Sequence, residues 1–372
     1  MLKFEYPGFV MSSRILRPLT VASCLVVFAS TAPAFAADYS GCGLSCSGSV
    51  GYDYGPSGDD DRLIVDPDSP YFISDNDQTA ANPNENFSLR GSIGIAHITA
   101  NEHVYAFGSG TQNLSLLVWD TYTPIANADV KVRLPGAWTV QGHVEAALPG
   151  KSTMTDYDWT GFSPSYNMND WDHRSISPNT NLDWYLKGDI ALGRDFPINE
   201  ALTVNVNGGV GYTDVQWTAV GGTYIYSVGG FRDTSGTIPD VPGVRYRQQL
   251  PVGFVGVDAA VNDGAWSLDA GARAGLVLYG ISTDHHYLRV PPMVVVDQLN
   301  LGQELSAKAR LGYAFNDHLS AFVEGSYTKM LAAHTATDYY NMNTGALMIH
   351  GTNFGGAELD AATLSAGLKG NF

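Results

Sequence analysis

The sequence predicts an all-β chain that closes as a ten-stranded antiparallel transmembrane β-barrel with long extracellular loops. Three observations carry this. An export signal opens the chain, period-2 segments begin near residue 86, and the connections between them alternate short and long.

The export signal comes first. Arg14 and Arg17 precede an apolar stretch from Leu19 to Phe28, which leads to Ala34-Phe35-Ala36. A positive flank, a short apolar core and an A-x-A site make residues 1–36 a signal peptide, with cleavage expected after Ala36. Met11 serves equally well as a start. The apolar core is too short for an anchor helix, and Pro33 follows it. No later apolar run approaches the ~18 residues of a membrane helix. Two classes survive: a soluble exported β protein, or a barrel whose spans need only about 9–11 alternating residues each.

Residues 37–85 are rich in Gly, Ser, Asp, Asn and Pro and show no apolar period, which predicts a flexible acidic segment. Cys42 and Cys46 are expected to close a small disulfide loop, because the chain is exported; Cys24 leaves with the signal. Asp59-Asp60-Asp61 and Asp66-Pro67-Asp68 read as solvated acid, since no Gly-hinged calcium loop accompanies them.

From 86 onward the pattern alternates. Ile93 and Ile95 take one face of the first segment, with Ser92, Gly94 and Ala96 on the other. Further segments follow near 114–134, 139–148, 181–193, 202–218, 244–260, 265–283, 295–314, 319–331 and 357–372. That makes ten, an even number as outer-membrane barrels require. Gly136-Ala137, Asp195 to Asn199, Asn262-Asp263-Gly264 and Asn316-Asp317 form short turns. The stretches near 149–179, 227–243, 284–294 and 333–356 are long and polar. The final segment alternates back from Phe372, as the last strand of an outer-membrane barrel does.

Charge narrows the function. The chain carries −17, and residues 1–36 carry +2 (Lys3, Arg14 and Arg17 against Glu5), so residues 37–372 carry −19. A nucleic-acid binder needs a basic footprint, so that class is excluded. An acidic surface suits cationic ligands.

Two short constellations carry chemistry. Asp156-Tyr157-Asp158-Trp159 lies just past a strand end, and Asp284-His285-His286 lies where the 265–283 segment meets its loop. Residues i and i+2 share a side of an extended chain, so Asp156 faces with Asp158 and Asp284 with His286. Both pairs sit at the long-loop end, where a closed barrel brings strand ends together across its mouth. His286 can take a proton from water while Asp284 orients the ring. Two facing carboxylates can share a proton and position the same water. Water attack on a peptide carbonyl, without a serine or cysteine nucleophile, is the reaction such a set is able to perform; the competing reading of each pair is a solvated polar loop. A zinc site from His173, His285 and His286 is disfavoured, because adjacent histidines in a strand point apart.

The chain resembles the omptin family of outer-membrane proteases. Asp156-Tyr157-Asp158-Trp159, Ser175-x-x-Pro178-x-Thr180, Gly221-Gly222-Thr223-Tyr224-Ile225-Tyr226-Ser227, Gly230-Phe231-Arg232-Asp233, Asp284-x-His286-Tyr287 and Asn101-Glu102-His103-Val104-Tyr105 carry the resemblance, in order, over residues 86–372. It implies a ten-stranded barrel standing above the bacterial outer membrane, with its active site facing the cell exterior. It also implies an aspartic-type endopeptidase cutting beside basic residues, with Asp156 and Asp158 as one catalytic pair and Asp284 and His286 as the other. Glu102 matches an acid that receives the basic side chain before the scissile bond. Ser175 matches a supporting serine. Two positions depart from the pattern. Ser282 stands where other members have a second acid for that side chain, and His173 where some have an acid for the following residue. Both changes are expected to remove negative charge from the cleft, so neutral or small residues are expected to be accepted after the scissile bond.

The resemblance implies no cofactor beyond lipopolysaccharide as an activating lipid, and a monomeric protein. Tyr212 and Asp214 fit part of the lipid pattern; Gln216 and Gln249 stand where arginines are expected, with Arg245 and Arg247 close by. The expected partners are therefore cationic peptides or proteins and outer-membrane lipid. The competing readings are a non-enzymatic adhesin or surface-binding barrel on the same scaffold, and a small porin, which ten strands disfavour because side chains fill so narrow a lumen.

Overall fold

The computed structural model describes residues 86–106 and 112–372. The signal peptide, the 37–85 segment, and Cys42 with Cys46 lie outside the described residues. The strands are β1 (Phe87–Tyr105), β2 (Asn113–Leu134), β3 (Trp138–Ala147 continuing as Gly150–Asp158), β4 (His173–Pro197) and β5 (Leu202–Tyr226). They continue as β6 (Thr234–Asp263), β7 (Trp266–Val277, then Gly280–His286), β8 (Met293–Leu299, then Gln303–Ala314), β9 (Leu319–Asn341) and β10 (Leu347–Asn371). Each pairs antiparallel with its sequence neighbours, and β1 pairs with β10 from Ser88↔Asn371 to Val104↔Gly355. The sheet therefore closes on itself and leaves no edge.

Period 2 decides which side chains meet lipid. On β1, Ala96, Ile98 and Ala100 point inward and are buried, while Ile93 is 75% exposed. Val210, Val255, Leu311, Val323, Leu364 and Leu368 are exposed in the same way around the ring. An apolar band of this size on a barrel's outer wall is a lipid-facing surface. Exposed aromatics bound it on both sides. Trp138, Phe196, Trp266, Phe315 and Phe372 ring the short-turn end, and Tyr122, Trp184, Tyr212, Tyr279 and Tyr327 the other.

The continuous strands run from 19 to 30 residues, well beyond the ~10 needed to cross a bilayer. The excess rises above the second girdle as a continued sheet. This shortens the connections relative to the sequence expectation: 149–179 holds Gly150–Asp158 and the start of β4, and much of 333–356 belongs to β9 and β10. Above the membrane neither face meets lipid, so the apolar alternation that marks a span disappears while the ladder hydrogen bonds persist. Breaks at 148–149, 278–279 and 300–302 mark the transition in β3, β7 and β8, and Tyr279 and Leu301 take positive φ there.

The lumen is filled in two layers. Near the short-turn half an ion-pair network joins Arg310 to Glu324, Asp129 and Asp269, Arg273 to Asp189, and Lys131 to Asp195. A polar cavity of about 840 Å³, counting space open to solvent, lies among these charges. Above it Trp119, Trp217 and Tyr246, all fully buried, stack with centroids 5.6–6.4 Å apart. Trp217 Nε1 donates to Thr121 Oγ1 at 2.8 Å, so its polar edge is satisfied. This aromatic layer is the floor on which the upper site stands.

Candidate active site

The inward-facing rows of the upper barrel carry the candidate residues. On β1 the buried sequence Ala96, Ile98, Ala100 continues to Glu102. On β3 it runs Ser152, Met154, then Asp156 and Asp158. On β7 it runs Gly280, Ser282, Asp284, His286. Register aligns them: Glu102 is opposite Leu117, Leu117 opposite Asp156, and Asp156 opposite Ser175. Glu102 lies five residues beyond His97, which pairs with Tyr122 of the girdle, or roughly 16 Å along the strand at ~3.3 Å per residue. The site is therefore outside the hydrocarbon.

His286 Nε2 lies 2.6 Å from Asp284 Oδ2, with the carboxylate side chain 1% exposed and the imidazole 14%. Burial acts to lower the His286 pKa, but the adjacent Asp284 charge and hydrogen bond outweigh it, and the imidazole sits above its ordinary 6.5. Asp156 adds to that upward pull, which makes the two pairs electrostatic neighbours although they stand on β3 and β7. His285 points away, stacks on Tyr287 at 6.0 Å, and is pushed down by burial. Adjacent histidines do face opposite sides of the strand.

Across the mouth, Ser115 Oγ donates to Asp156 Oδ1 at 3.2 Å. Burial, then the charge of Asp158, raises the Asp156 carboxyl to about 7. Asp158 is raised as well, chiefly by burial. The pair thus holds a proton near neutrality, the behaviour of like charges forced together. The cationic Arg289, exposed on the β7–β8 connection, acts on both carboxyls in the opposite sense.

The remaining expected residues occupy distinct places. Ser175 is buried directly beside Asp156. His173 is opposite Asp158; its Nδ1 is 2.9 Å from Asp172 Oδ1, and its ring lies 4.9 Å from that of Tyr226. Asp172 is fully buried and accepts from the Thr160 and Phe162 amides at 2.8 and 3.0 Å, so it ties the β3–β4 connection to His173. Ser282 is buried and donates to Asp297 Oδ2 at 2.8 Å. Asp297 stands directly opposite Ser282, on β8. Ser115, Asp297 and Arg289 were not singled out from the sequence. Their roles depend on cross-strand register and loop path, for which no local motif exists.

Residues 83–372 match the sequence model of the Omptin family. Among solved structures, the outer membrane protease OmpT from Escherichia coli superposes with a TM-score of 0.72 at 21% identity, over 79% of this chain and 99% of that one. The transport unit of the autotransporter AIDA-I from Escherichia coli aligns over 81% of this chain and 94% of its own at a TM-score of 0.34 and 9% identity. No curated protein sequence matches. With the family match covering the whole described barrel, the chain belongs to the omptin family.

Proposed function

We propose that this chain is an outer-membrane endopeptidase, its site facing the cell exterior, that hydrolyses peptide bonds near basic residues with water held between Asp284–His286 and Asp156–Asp158. The observation that carries this reading is the inward placement of both pairs on the upper wall, with His286 bound to Asp284 at 2.6 Å and within the field of Asp156. Family membership and the OmpT likeness support a protease on this scaffold.

The chemistry follows from the protonation states. Neutral His286 accepts a proton from water as its oxygen attacks the peptide carbonyl, and Asp284 stabilises the imidazolium that forms. The proton-sharing Asp156–Asp158 pair orients the water and donates a hydrogen bond toward the carbonyl oxygen as it gains charge. The C–N bond then breaks, and the imidazolium returns its proton to the leaving amine. No covalent intermediate on the protein is required. Ser115 holds the Asp pair through its hydrogen bond to Asp156, and Ser175 flanks it on the paired strand.

The lipid expectation extends this reading. Arg247 lies directly opposite Gln216, donates to Asp214 at 2.6 and 2.8 Å, and stands 5.3 Å from the Trp184 ring. Arg245 reaches Thr218 and Tyr287 beside it. These outward guanidiniums, at the upper girdle, are suited to the phosphates of lipopolysaccharide, and the enzyme is expected to work as a lipid-activated monomer.

The test is mass-spectrometric mapping of cuts in a peptide library by the refolded barrel with lipopolysaccharide. Cuts that depend on Asp284 and His286 support the proposal. Binding of the peptides without any cut overturns it and leaves a surface-binding barrel.

A further inference from the structure

On the outer wall of β9, β10, β1, β2 and β3, polar rows replace the apolar band, and pairing register orders them. Ile95 lies opposite Leu364, and both face lipid, at 61% and 56% exposure. Two residues higher on the same strands, Tyr327, His97 and Tyr122 share the next outward row, linked through Ala362. Ser152 lies opposite Thr121, so Lys151 stands beside Tyr122 in that row. Two residues higher again, Lys329, Asp360, Thr99 and Asp120 form a third row. Each step rises about 7 Å, and a headgroup layer is roughly 5–8 Å deep. The aromatic row thus marks the hydrocarbon boundary, and the charged row lies among headgroups.

The charges alternate in sign and are held in place. Asp360 accepts from Lys329 Nζ at 3.1 and 3.2 Å and from the Tyr327 hydroxyl. His97 stacks on Tyr122 with centroids 4.2 Å apart, and its Nε2 lies 3.1 Å from Asp120 Oδ2. Three groups keep unused valence. The Asp120 side chain is 47% exposed and engages His97 through Oδ2 alone. Tyr122 is 68% exposed, and its hydroxyl has no partner among the described residues. Lys151 is exposed and makes no ion pair or hydrogen bond among the described residues. A plain phosphate would gain from Lys151 and Tyr122 and be repelled by Asp120. A headgroup that carries phosphate and ammonium together satisfies all three. The apolar band directly below gives its acyl chains a wall to lie on.

We propose that this sector, centred on β1, binds the zwitterionic phosphoethanolamine headgroup of a glycerophospholipid, with its phosphate on Lys151 and the Tyr122 hydroxyl and its ammonium on Asp120. β1 is five strands from β6 in the closed ring, so the site lies on the wall opposite Arg245 and Arg247. Lipid capture there is independent of peptide cleavage.

The test is native mass spectrometry of the folded full-length barrel in detergent micelles, titrated with phosphatidylethanolamine or with phosphatidylglycerol of the same acyl chains. The wild type should hold phosphatidylethanolamine about fivefold more tightly, the factor for one charge near a bilayer surface. Asp120→Asn should erase that preference, and Lys151→Ala should weaken both lipids severalfold. Arg245→Ala with Arg247→Ala should leave the preference intact. If Asp120→Asn does not fold, Lys151→Ala decides alone. Equal binding of the two lipids by the wild type, a preference kept in Asp120→Asn, undiminished binding in Lys151→Ala, or a preference lost in the double arginine variant overturns the proposal. So does lipopolysaccharide that displaces phosphatidylethanolamine one for one, which would make the sector a second site for that lipid.

Discussion

Replacing Asp284 with asparagine tests the proposed water-activating pair at its 2.6 Å contact. The side chain keeps its shape and loses its charge. The ion pair it breaks is 2.6 Å long between a carboxylate 1% exposed and an imidazole 14% exposed. Removing one partner of a pair this buried costs about 3–5 kcal/mol. If that stabilisation is expressed on the imidazolium formed in the transition state, turnover falls by about 10²–10⁴-fold. The pH profile should move too. With neutral His286 as the proposed base, wild-type activity should rise with pH through a value above 6.5, where Asp284 holds the imidazole. Without Asp284, burial is the main remaining influence and lowers that value, so the acid limb should shift below 6.5. The assay is kcat/KM for a fluorogenic basic peptide from pH 5 to 9, with heat-dependent gel mobility confirming the barrel is folded. An Asp284→Asn enzyme within threefold of wild type and with an unmoved acid limb would refute the reasoning.

Other perturbations follow from the same geometry. Asp156 is held at about 7 in the folded protein against an ordinary 3.8, so the folded state keeps its proton longer, and the associated stability, complete below 3.8, is lost as pH rises through 7. Asp156→Asn should therefore abolish cleavage yet raise barrel stability at pH 8 by roughly 1–4 kcal/mol, with little change at pH 4, measured by thermal midpoints; a lower midpoint at pH 8 would contradict this. Gly355→Ala forces a methyl onto Asp297 and Thr337 and should destabilise by about 1–3 kcal/mol, as a lowered thermal midpoint would show. Replacing Arg245 and Arg247 with alanine should raise the lipopolysaccharide concentration needed for half-maximal activity at least tenfold, read by titrating lipid into the refolded variant.

Much of the barrel was legible because lipid imposes a simple rule. Ile93, Ile95, Val204 and Val206 alternate with small or polar partners, and the turns at Asn262-Asp263-Gly264 and Asn316-Asp317 punctuate them. Above the membrane that rule lapses. The upper reaches of β3, β4, β6 and β9 carry polar side chains on both faces, so they read as loops although their backbones pair throughout. The candidate pairs were legible for a related reason: Asp156 with Asp158, and Asp284 with His286, lie two residues apart, and the strand period alone places each pair on one side. Asp297 and Ser115 were not. Each acts on a residue of a neighbouring strand, and no local pattern encodes that register. Asp297, the hydrogen-bond partner of Ser282, is fifteen residues away in sequence and 2.8 Å away in space.

In the proposed mechanism, side chains from β3 and β7 grip one water between them. A crystal structure with a bound peptide whose scissile carbonyl is replaced by a hydroxymethylene tests this most directly, because its hydroxyl mimics the attacking oxygen. That hydroxyl should lie within about 2.6–3.2 Å of both the His286 ring and an oxygen of Asp156 or Asp158. A hydroxyl bound by one pair alone, with the other turned away from the peptide, would contradict it.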